Sequence, residues 1–132
     1  MLHPLPHATP QPAFAAQDRA AILTKASLRA AERLGLSARV LAQVLGVSEP
    51  SVSRMKKGAY ALEEGSKSFE LAALFVRVFR SLDAITGGDE AVARHWMMAE
   101  NTALAGRPVD RITSITGLAD VASYLDARRA VI

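Results

Sequence analysis

The fold of this chain is decided by residues 37–58, SARVLAQVLGVSEPSVSRMKKG, which contain two short amphipathic segments on either side of a turn signal. Apolar residues recur at helical three-to-four spacing before and after Gly46, and this spacing indicates two short helices. Helices that cross over a turn of three or four residues need small side chains and a permissive backbone there, which Ala42 and Gly46 supply. The stretch therefore predicts a helix-turn-helix rather than an ordinary corner between two helices.

The second segment of this motif carries the signals of a helix that reads DNA. Ser48 is a suitable N-cap, and Pro50 fits the first turn, where backbone N–H groups have no partner. Residues 54–57 hold three cations and no acid. If this helix enters the major groove, its start and outward face approach base edges and its end approaches phosphates. The residues expected at base edges are Ser48, Glu49, Ser51, Ser53 and Arg54, and those expected at phosphates are Lys56 and Lys57.

The composition favours packed helices and excludes several other classes of protein. Hydrophobic residues make up 50 % of the 132 residues but aromatic residues only 5 %, and no run is typical of a strand, so we expect an all-α fold. The net charge of +3 is compatible with nucleic acid but too small to indicate it alone. Because the chain has no cysteine, a disulfide framework, a thiolate zinc site and a cysteine nucleophile are all excluded.

The start of the chain is predicted to be a flexible arm rather than a targeting segment. Residues 1–17 contain four prolines, which disfavour a helix, and they lack the basic start and apolar core of a secretion signal. His3 and His7 have no carboxylate or thiol beside them, so a solvated tail is favoured over a metal site. No apolar stretch approaches the roughly 20 residues of a membrane span, and we expect a cytoplasmic protein.

Two helical domains are predicted to follow the arm. The first covers residues 18–65, in which a helix that begins at Asp18 braces the helix-turn-helix. The second covers residues 66–132 and begins with the longest periodic helix, whose apolar residues between positions 68 and 85 occupy more than one face. Such a helix is either the core between two packed subdomains or partly the face of a homodimer, and the sequence leaves both open. A homodimer or larger assembly would use Ala72, Val76 and Phe79.

The second domain carries no recognisable catalytic set. A short helix around residue 95 places Val92, Trp96 and Met97 on one side, and Trp96 is expected in the core. His95 has no serine, cysteine or second histidine in a pairing that would make it a general base. The sequence also shows neither a glycine-rich phosphate loop nor a set of metal ligands. We therefore expect neither an enzyme nor a bound cofactor.

The second domain does carry a spaced pattern with a fixed break in its middle. Its members are Trp96, Asn101, Ala103, Leu104, Gly106, Pro108, Ile112, Gly117, Val121, Tyr124 and Leu125. The pattern resembles the toxin-binding domain of the Xre/MbcA/ParS family of bacterial antitoxins, which usually follows an Xre-type helix-turn-helix. The resemblance covers roughly residues 18–132, including the order of the two domains. One departure is the ending, DARRAVI, which lacks the glycine-containing tail expected of many relatives.

This resemblance implies a partner and a mechanism. In the family the cognate toxin is commonly a RES-domain protein, which depletes NAD⁺ or attaches ADP-ribose to proteins. The antitoxin binds the toxin, blocks its active site and represses the shared operon by binding double-stranded operator DNA. The rival interpretation is a stand-alone helix-turn-helix repressor whose second half only dimerises or senses a ligand.

The end of the last helix and its tail are expected to contact such a toxin, because they project from the predicted domain. These residues are Tyr124, Arg128, Arg129, Ala130, Val131 and Ile132. The arginines can bind the acidic or polar rim of an active-site cleft, and the apolar end with its carboxylate can enter a pocket. The alternative is a solvated helix end whose arginines only complement the helix dipole.

Overall fold

The computed structural model describes residues 12–130, which form seven α-helices and one 3-10 turn. The helices are α1 (Pro12–Leu34), α2 (Ala38–Leu45), α3 (Glu49–Lys56), α4 (Lys67–Ile85), α5 (Glu90–Met98), α6 (Pro108–Arg111) and α7 (Ile115–Arg129), and the 3-10 turn is Thr102–Leu104. No strand occurs in this part of the chain, so the expected all-α class is confirmed. None of the described helices is both long enough and apolar enough to cross a membrane.

Most helix starts are fixed by a hydrogen bond to a side chain just before the helix. The N-caps of α2, α3, α4, α5 and α7 are Ser37, Ser48, Ser66, Asp89 and Ser114, and each accepts the backbone N–H three residues further on. Each such cap stabilises its helix by about 1 kcal/mol. α2 ends at Gly46, whose φ of 69° is the left-handed conformation that glycine adopts without strain. These local signals explain where the short helices begin and end.

The first helix begins earlier than the sequence predicts. α1 starts at Pro12, six residues before Asp18, which corrects the prediction of a flexible arm up to residue 17. Proline is tolerated in the first turn of a helix, because the N–H that it lacks would have no partner there. The following segment, AFAA, is rich in alanine, the strongest helix former. Residues 1–11, with the predicted solvated histidines His3 and His7, lie outside the described part of the chain.

α4 is the central helix of the fold. α1, α2 and α7 all pack against it, and their contacts bury Phe75, Val78 and Leu82. The wide apolar sector of α4 is therefore covered by helices from both halves of the same chain. Of the two interpretations that the sequence leaves open, the structure supports a core helix between packed subdomains.

The predicted dimerisation face lies mostly inside the chain. Ala72 is fully buried and Val76 is 5 % exposed. Phe79 is half-buried beneath the guanidinium of Arg33, whose central carbon lies 5.6 Å from the ring centre. Ala72 and Val76 are therefore covered mainly by their own chain, and their role in a homodimer stays a prediction. A hydrophobic pattern shows that a face is covered, but it does not show whether the cover belongs to the same chain.

The two halves of the chain are joined again at the end of α1. Arg94 of α5 donates hydrogen bonds of 2.9 Å to the backbone carbonyls of both Glu32 and Arg33. A cation at this position satisfies carbonyls that have no partner within the helix and complements the negative end of the helix dipole. The side chain of Arg94 is itself held by Glu90 Oε1 at 2.8 Å. α5 is thus attached to the helix that precedes the helix-turn-helix.

Close packing between α6 and α7 depends on a glycine. A Cβ built at Gly117 would lie 1.8 Å from the carbonyl oxygen of Arg111, which is far inside van der Waals contact. The Gly117 N–H donates to the hydroxyl of the N-cap Ser114 at 3.0 Å, so the first turn of α7 is also held in place. Any larger residue at Gly117 must push the two helices apart.

Gly117→Ala is expected to destabilise the fold by about 1–3 kcal/mol, because the new methyl group must displace a backbone carbonyl. A urea unfolding curve checks this through a lower midpoint at an unchanged slope. Ala119→Ser changes an exposed position on the same helix and should leave the midpoint unchanged. An unchanged midpoint for Gly117→Ala would show that the close packing of α6 and α7 does not contribute to stability.

Candidate DNA and partner interfaces

The helix-turn-helix is held together by the buried faces of α2 and α3. Leu41 and Leu45 of α2 lie in one buried cluster with Val52 and Met55 of α3. Their packing leaves the outer face of α3 in solvent. Six of the seven residues expected at DNA are exposed on α3 or at its two ends, namely Ser48, Glu49, Ser53, Arg54, Lys56 and Lys57.

Ser51 differs from the other residues expected at DNA, because its side chain is buried and its hydroxyl is already bonded. Ser51 Oγ lies 2.9 Å from Ser48 Oγ and accepts a hydrogen bond of 3.1 Å from Arg54 Nη2. This corrects the expectation that Ser51 itself approaches a base edge. Its hydroxyl instead holds the guanidinium of Arg54 in position at the surface.

Tyr60 also contacts Arg54, although no sequence pattern singles it out. The guanidinium carbon of Arg54 lies 5.8 Å from the centre of the Tyr60 ring, in a cation–π contact. The loop that carries Tyr60 is anchored by Leu62, which is fully buried and whose N–H donates to the Thr24 hydroxyl at 2.9 Å. The loop has no periodicity that would predict this contact. In the sequence, the only indication of it is that an aromatic residue lies close to the end of α3.

A third arginine lies over an aromatic ring on the surface between α5 and α7. The rings of Trp96 and Tyr124 are 6.2 Å apart with 22° between their planes. The guanidinium carbon of Arg128 lies 5.2 Å from the centre of the Tyr124 ring. Trp96 and Tyr124 are half-buried and Arg128 is exposed. We name these three side chains the Trp96/Tyr124/Arg128 stack.

The core side of α5 differs from the one that the sequence predicts. Met97 is fully buried as expected, but Val92 is 49 % exposed, and Ala93 is the buried residue at the start of the helix. Trp96 packs against the core with part of its ring in solvent, so its expected core position holds only in part. Periodicity places Val92 and Trp96 on the apolar side of α5. It cannot show that no other helix covers them fully.

The remaining residues expected at a toxin lie at the end of α7. Arg129 and Ala130 are exposed, and Arg129 lines a groove beside α1 and α4 rather than joining the stack. Val131 and Ile132 lie outside the described residues. The structure thus brings Tyr124 and Arg128 together with Trp96, and it places Arg129 on another side of α7.

Two arginines of the described surface have their charged form favoured by a neighbouring carboxylate. A hydrogen bond to Glu64, with charge attraction in addition, raises the pKa of Arg19, and Asp110 raises the pKa of Arg107 in the same way. Both changes favour the charged form, so these arginines stay protonated at neutral pH. Residues 12–130 hold no group of three or more His, Cys, Asp or Glu side chains that could bind a metal ion.

Family comparisons cover nearly all of the described chain. Residues 13–77 match the antitoxin Xre-like helix-turn-helix domain, and residues 81–130 match the antitoxin Xre/MbcA/ParS C-terminal toxin-binding domain. This chain belongs to the Xre/MbcA/ParS-type antitoxins. The two matches confirm the resemblance and the order of the two domains. No curated protein matches the chain.

The candidate DNA surface and the Trp96/Tyr124/Arg128 stack lie in different matched domains. α3 and Tyr60 lie in the helix-turn-helix domain, which implies DNA as a partner, and the Trp96/Tyr124/Arg128 stack lies in the domain that implies a toxin. The two matches meet at residues 78–80, inside α4, whereas the boundary expected from the sequence follows residue 65. α4 packs against helices of both halves and so belongs to the core of each.

Proposed function

We propose that this antitoxin inhibits a RES-domain toxin, which consumes NAD⁺ or transfers ADP-ribose, and that it represses its own operon. The observation that carries the proposal is the Trp96/Tyr124/Arg128 stack, an ordered and partly exposed surface within the segment that matches a toxin-binding domain. Trp, Tyr and Arg are the residue types that contribute most to binding at protein interfaces. The same match favours an antitoxin over a stand-alone repressor, and the RES class of the toxin rests on the family resemblance.

In this proposal the stack and the end of α7 form one contact region for the toxin. Arg128 has no ion-pair partner among residues 12–130, so its donors are available to a carboxylate on the toxin. The next residues along the chain are Arg129, Ala130, Val131 and Ile132. Val131 and Ile132 are apolar and suited to a pocket in an active-site cleft, so the stack anchors the toxin while these residues block the cleft.

The class of toxin is tested in cells that express, as the candidate toxin, the product of a gene adjacent to this one. The toxin alone should stop growth and either deplete NAD⁺ or attach ADP-ribose to proteins, and co-expression of the antitoxin should prevent both effects. Toxicity that this chain does not relieve would contradict the proposal. Toxicity that it relieves, with NAD⁺ and protein ADP-ribose both unchanged, would show that the toxin belongs to another class.

Removal of residues 130–132 is expected to reduce toxin neutralisation sharply, because the proposed blocking segment is lost. Folding and DNA binding should stay intact, since the end of a terminal helix contributes little to a core. Growth of cells that express both proteins measures neutralisation, and a thermal unfolding curve of the shortened chain is the control. Growth equal to that with the full-length antitoxin would show that the stack covers the cleft without the tail.

Arg128→Ala is expected to weaken toxin binding by about 1–2 kcal/mol, or roughly tenfold, because it removes the exposed donor group of the stack. Titration calorimetry with the purified toxin measures the change. The substitution affects an exposed side chain, so the unfolding temperature should not move. Lys67→Ala removes an exposed cation from α4 and serves as the matched control. If Arg128→Ala binds as tightly as Lys67→Ala, the stack lies outside the toxin interface.

The proposed repression depends on the outer face of α3. The guanidinium of Arg54 is held by Ser51 and Tyr60, and an arginine fixed in this way can donate two hydrogen bonds to a guanine in the major groove. Lys56 and Lys57 are exposed at the end of the helix and can contact phosphates. One such module reads only a few base pairs, so we expect at least two copies of the antitoxin on the operator.

Arg54→Ala is expected to cost about 1–3 kcal/mol in binding to the DNA upstream of this gene, with little change on DNA of random sequence. Lys57→Ala should weaken binding to both DNAs alike and reduce the salt dependence, because it removes a phosphate contact. Gel-shift titrations at two salt concentrations measure both effects. Tyr60→Phe keeps the ring that supports Arg54 and is the control that should bind normally. Unchanged binding of Arg54→Ala to the upstream DNA would refute its role in sequence recognition.

A further inference from the structure

The outer side of α1 and α4 forms a groove that, apart from Arg129 at its end, neither of the proposed interfaces uses. One part has a volume of about 610 Å³ and reaches the end of α7, and a second part of about 510 Å³ continues it. Both parts are lined by Ala26, Val76 and Arg80, so they form one continuous depression. We name it the α1/α4 groove.

The rim of the α1/α4 groove is positively charged. Its cations are Arg19, Lys25, Arg29, Arg77, Arg80 and Arg129, and no carboxylate is among its described lining residues. Glu64 and Asp126 lie outside the groove and neutralise one of these cations each. Lys25, Arg29 and Arg80 are exposed and have no ion-pair partner in the described part of the chain. An excess of positive charge therefore faces solvent.

The floor of the α1/α4 groove is apolar. Ile22 lines it with 64 % of its surface exposed, which makes it an unusually open large apolar residue. Phe69 and Phe79 are half-buried at its two ends, and Ala73 is exposed between them. A ligand that offered only negative charge, such as a phosphate backbone, would leave this apolar surface uncovered. The groove fits a segment that combines carboxylates with apolar side chains.

We infer that the α1/α4 groove docks an acidic, partly apolar segment of the toxin, an inference that rests on the proposed function. Arg129 lines the groove and is followed directly by Ala130, where the proposed blocking tail begins. A toxin that holds this tail in its cleft therefore lies within reach of the groove. A second copy of the antitoxin fits less well, because a symmetric contact would bring two positively charged rims together. The groove thus supplies a second contact region beside the stack.

Charge reversal within the groove tests this inference on the full-length antitoxin and the purified toxin. Arg80→Glu is expected to lower toxin affinity roughly tenfold, mainly through a slower association rate, and to weaken the salt dependence of that rate. Lys67→Glu reverses an exposed cation on the same helix but outside the groove, and it should change affinity little. Surface plasmon resonance at low and high salt gives both rates.

Substitution of an apolar residue on the floor of the groove provides an independent test. Ile22→Ser should lower toxin affinity severalfold, whereas Ile115→Ser, at a position 62 % exposed and outside the groove, should not. All four substituted side chains are exposed, so unfolding temperatures should stay constant. The inference is supported if both groove variants lose affinity relative to their matched controls.

Several outcomes would overturn the inference. If Arg80→Glu and Ile22→Ser bind toxin as their controls do, the groove is not a toxin interface. If Arg80→Glu loses affinity for DNA but not for toxin, the groove contacts nucleic acid instead. If Ile22→Ser lowers the sedimenting mass with toxin affinity unchanged, a second copy occupies the groove. If the unsubstituted antitoxin does not bind the toxin at all, the proposed function itself fails, which is distinct from the failure of the groove alone.

Discussion

The burial of α4 within a single chain is the constraint on which the rest of this antitoxin depends. Phe75, Val78 and Leu82 are buried where α1, α2 and α7 meet α4. Full burial of one such side chain contributes about 1.5–3 kcal/mol, so the same residues stabilise both halves of the molecule. The two matched domains adjoin at residues 78–80, inside α4. If either half moved away from α4, core residues that also belong to the other half would become exposed.

The contact between Arg94 and the end of α1 adds a second connection between the two halves of the chain. Arg94 binds the last carbonyls of α1 just before Ser37, the N-cap of α2. Arg33 Nε lies 3.8 Å from Glu90 Oε2 at the same end of α1. This ion pair is half-exposed, so it contributes little to stability. Trp96 lies on the same helix as Arg94. A toxin bound at Trp96 would therefore contact a helix that is attached directly to the end of α1, the helix that precedes the helix-turn-helix.

Local signals in the sequence predict the helix-turn-helix well, because caps, turn glycine and apolar spacing act within a few residues of one another. The same reasoning does not show that Ala72 is buried within its own chain, and it is incomplete for Trp96, since a hydrophobic pattern shows that a side chain prefers burial but not which surface covers it. The early start of α1 is missed because proline disfavours helix interiors yet fits a first turn. The contact of Tyr60 with Arg54 joins a loop to a helix, and no periodicity signals such a pair.

The structure holds an arginine over a tyrosine ring at both proposed interfaces, which gives the two surfaces a common physical basis. Arg54 lies 5.8 Å from the Tyr60 ring centre, and Arg128 lies 5.2 Å from that of Tyr124. Such a contact is worth about 0.5–1 kcal/mol at an exposed site and restricts a flexible side chain before any partner arrives. Binding then costs less entropy, because the rotamers are already limited. Ser51 restrains Arg54 further, which suits the proposed role of Arg54 in distinguishing one base from another by hydrogen-bond geometry.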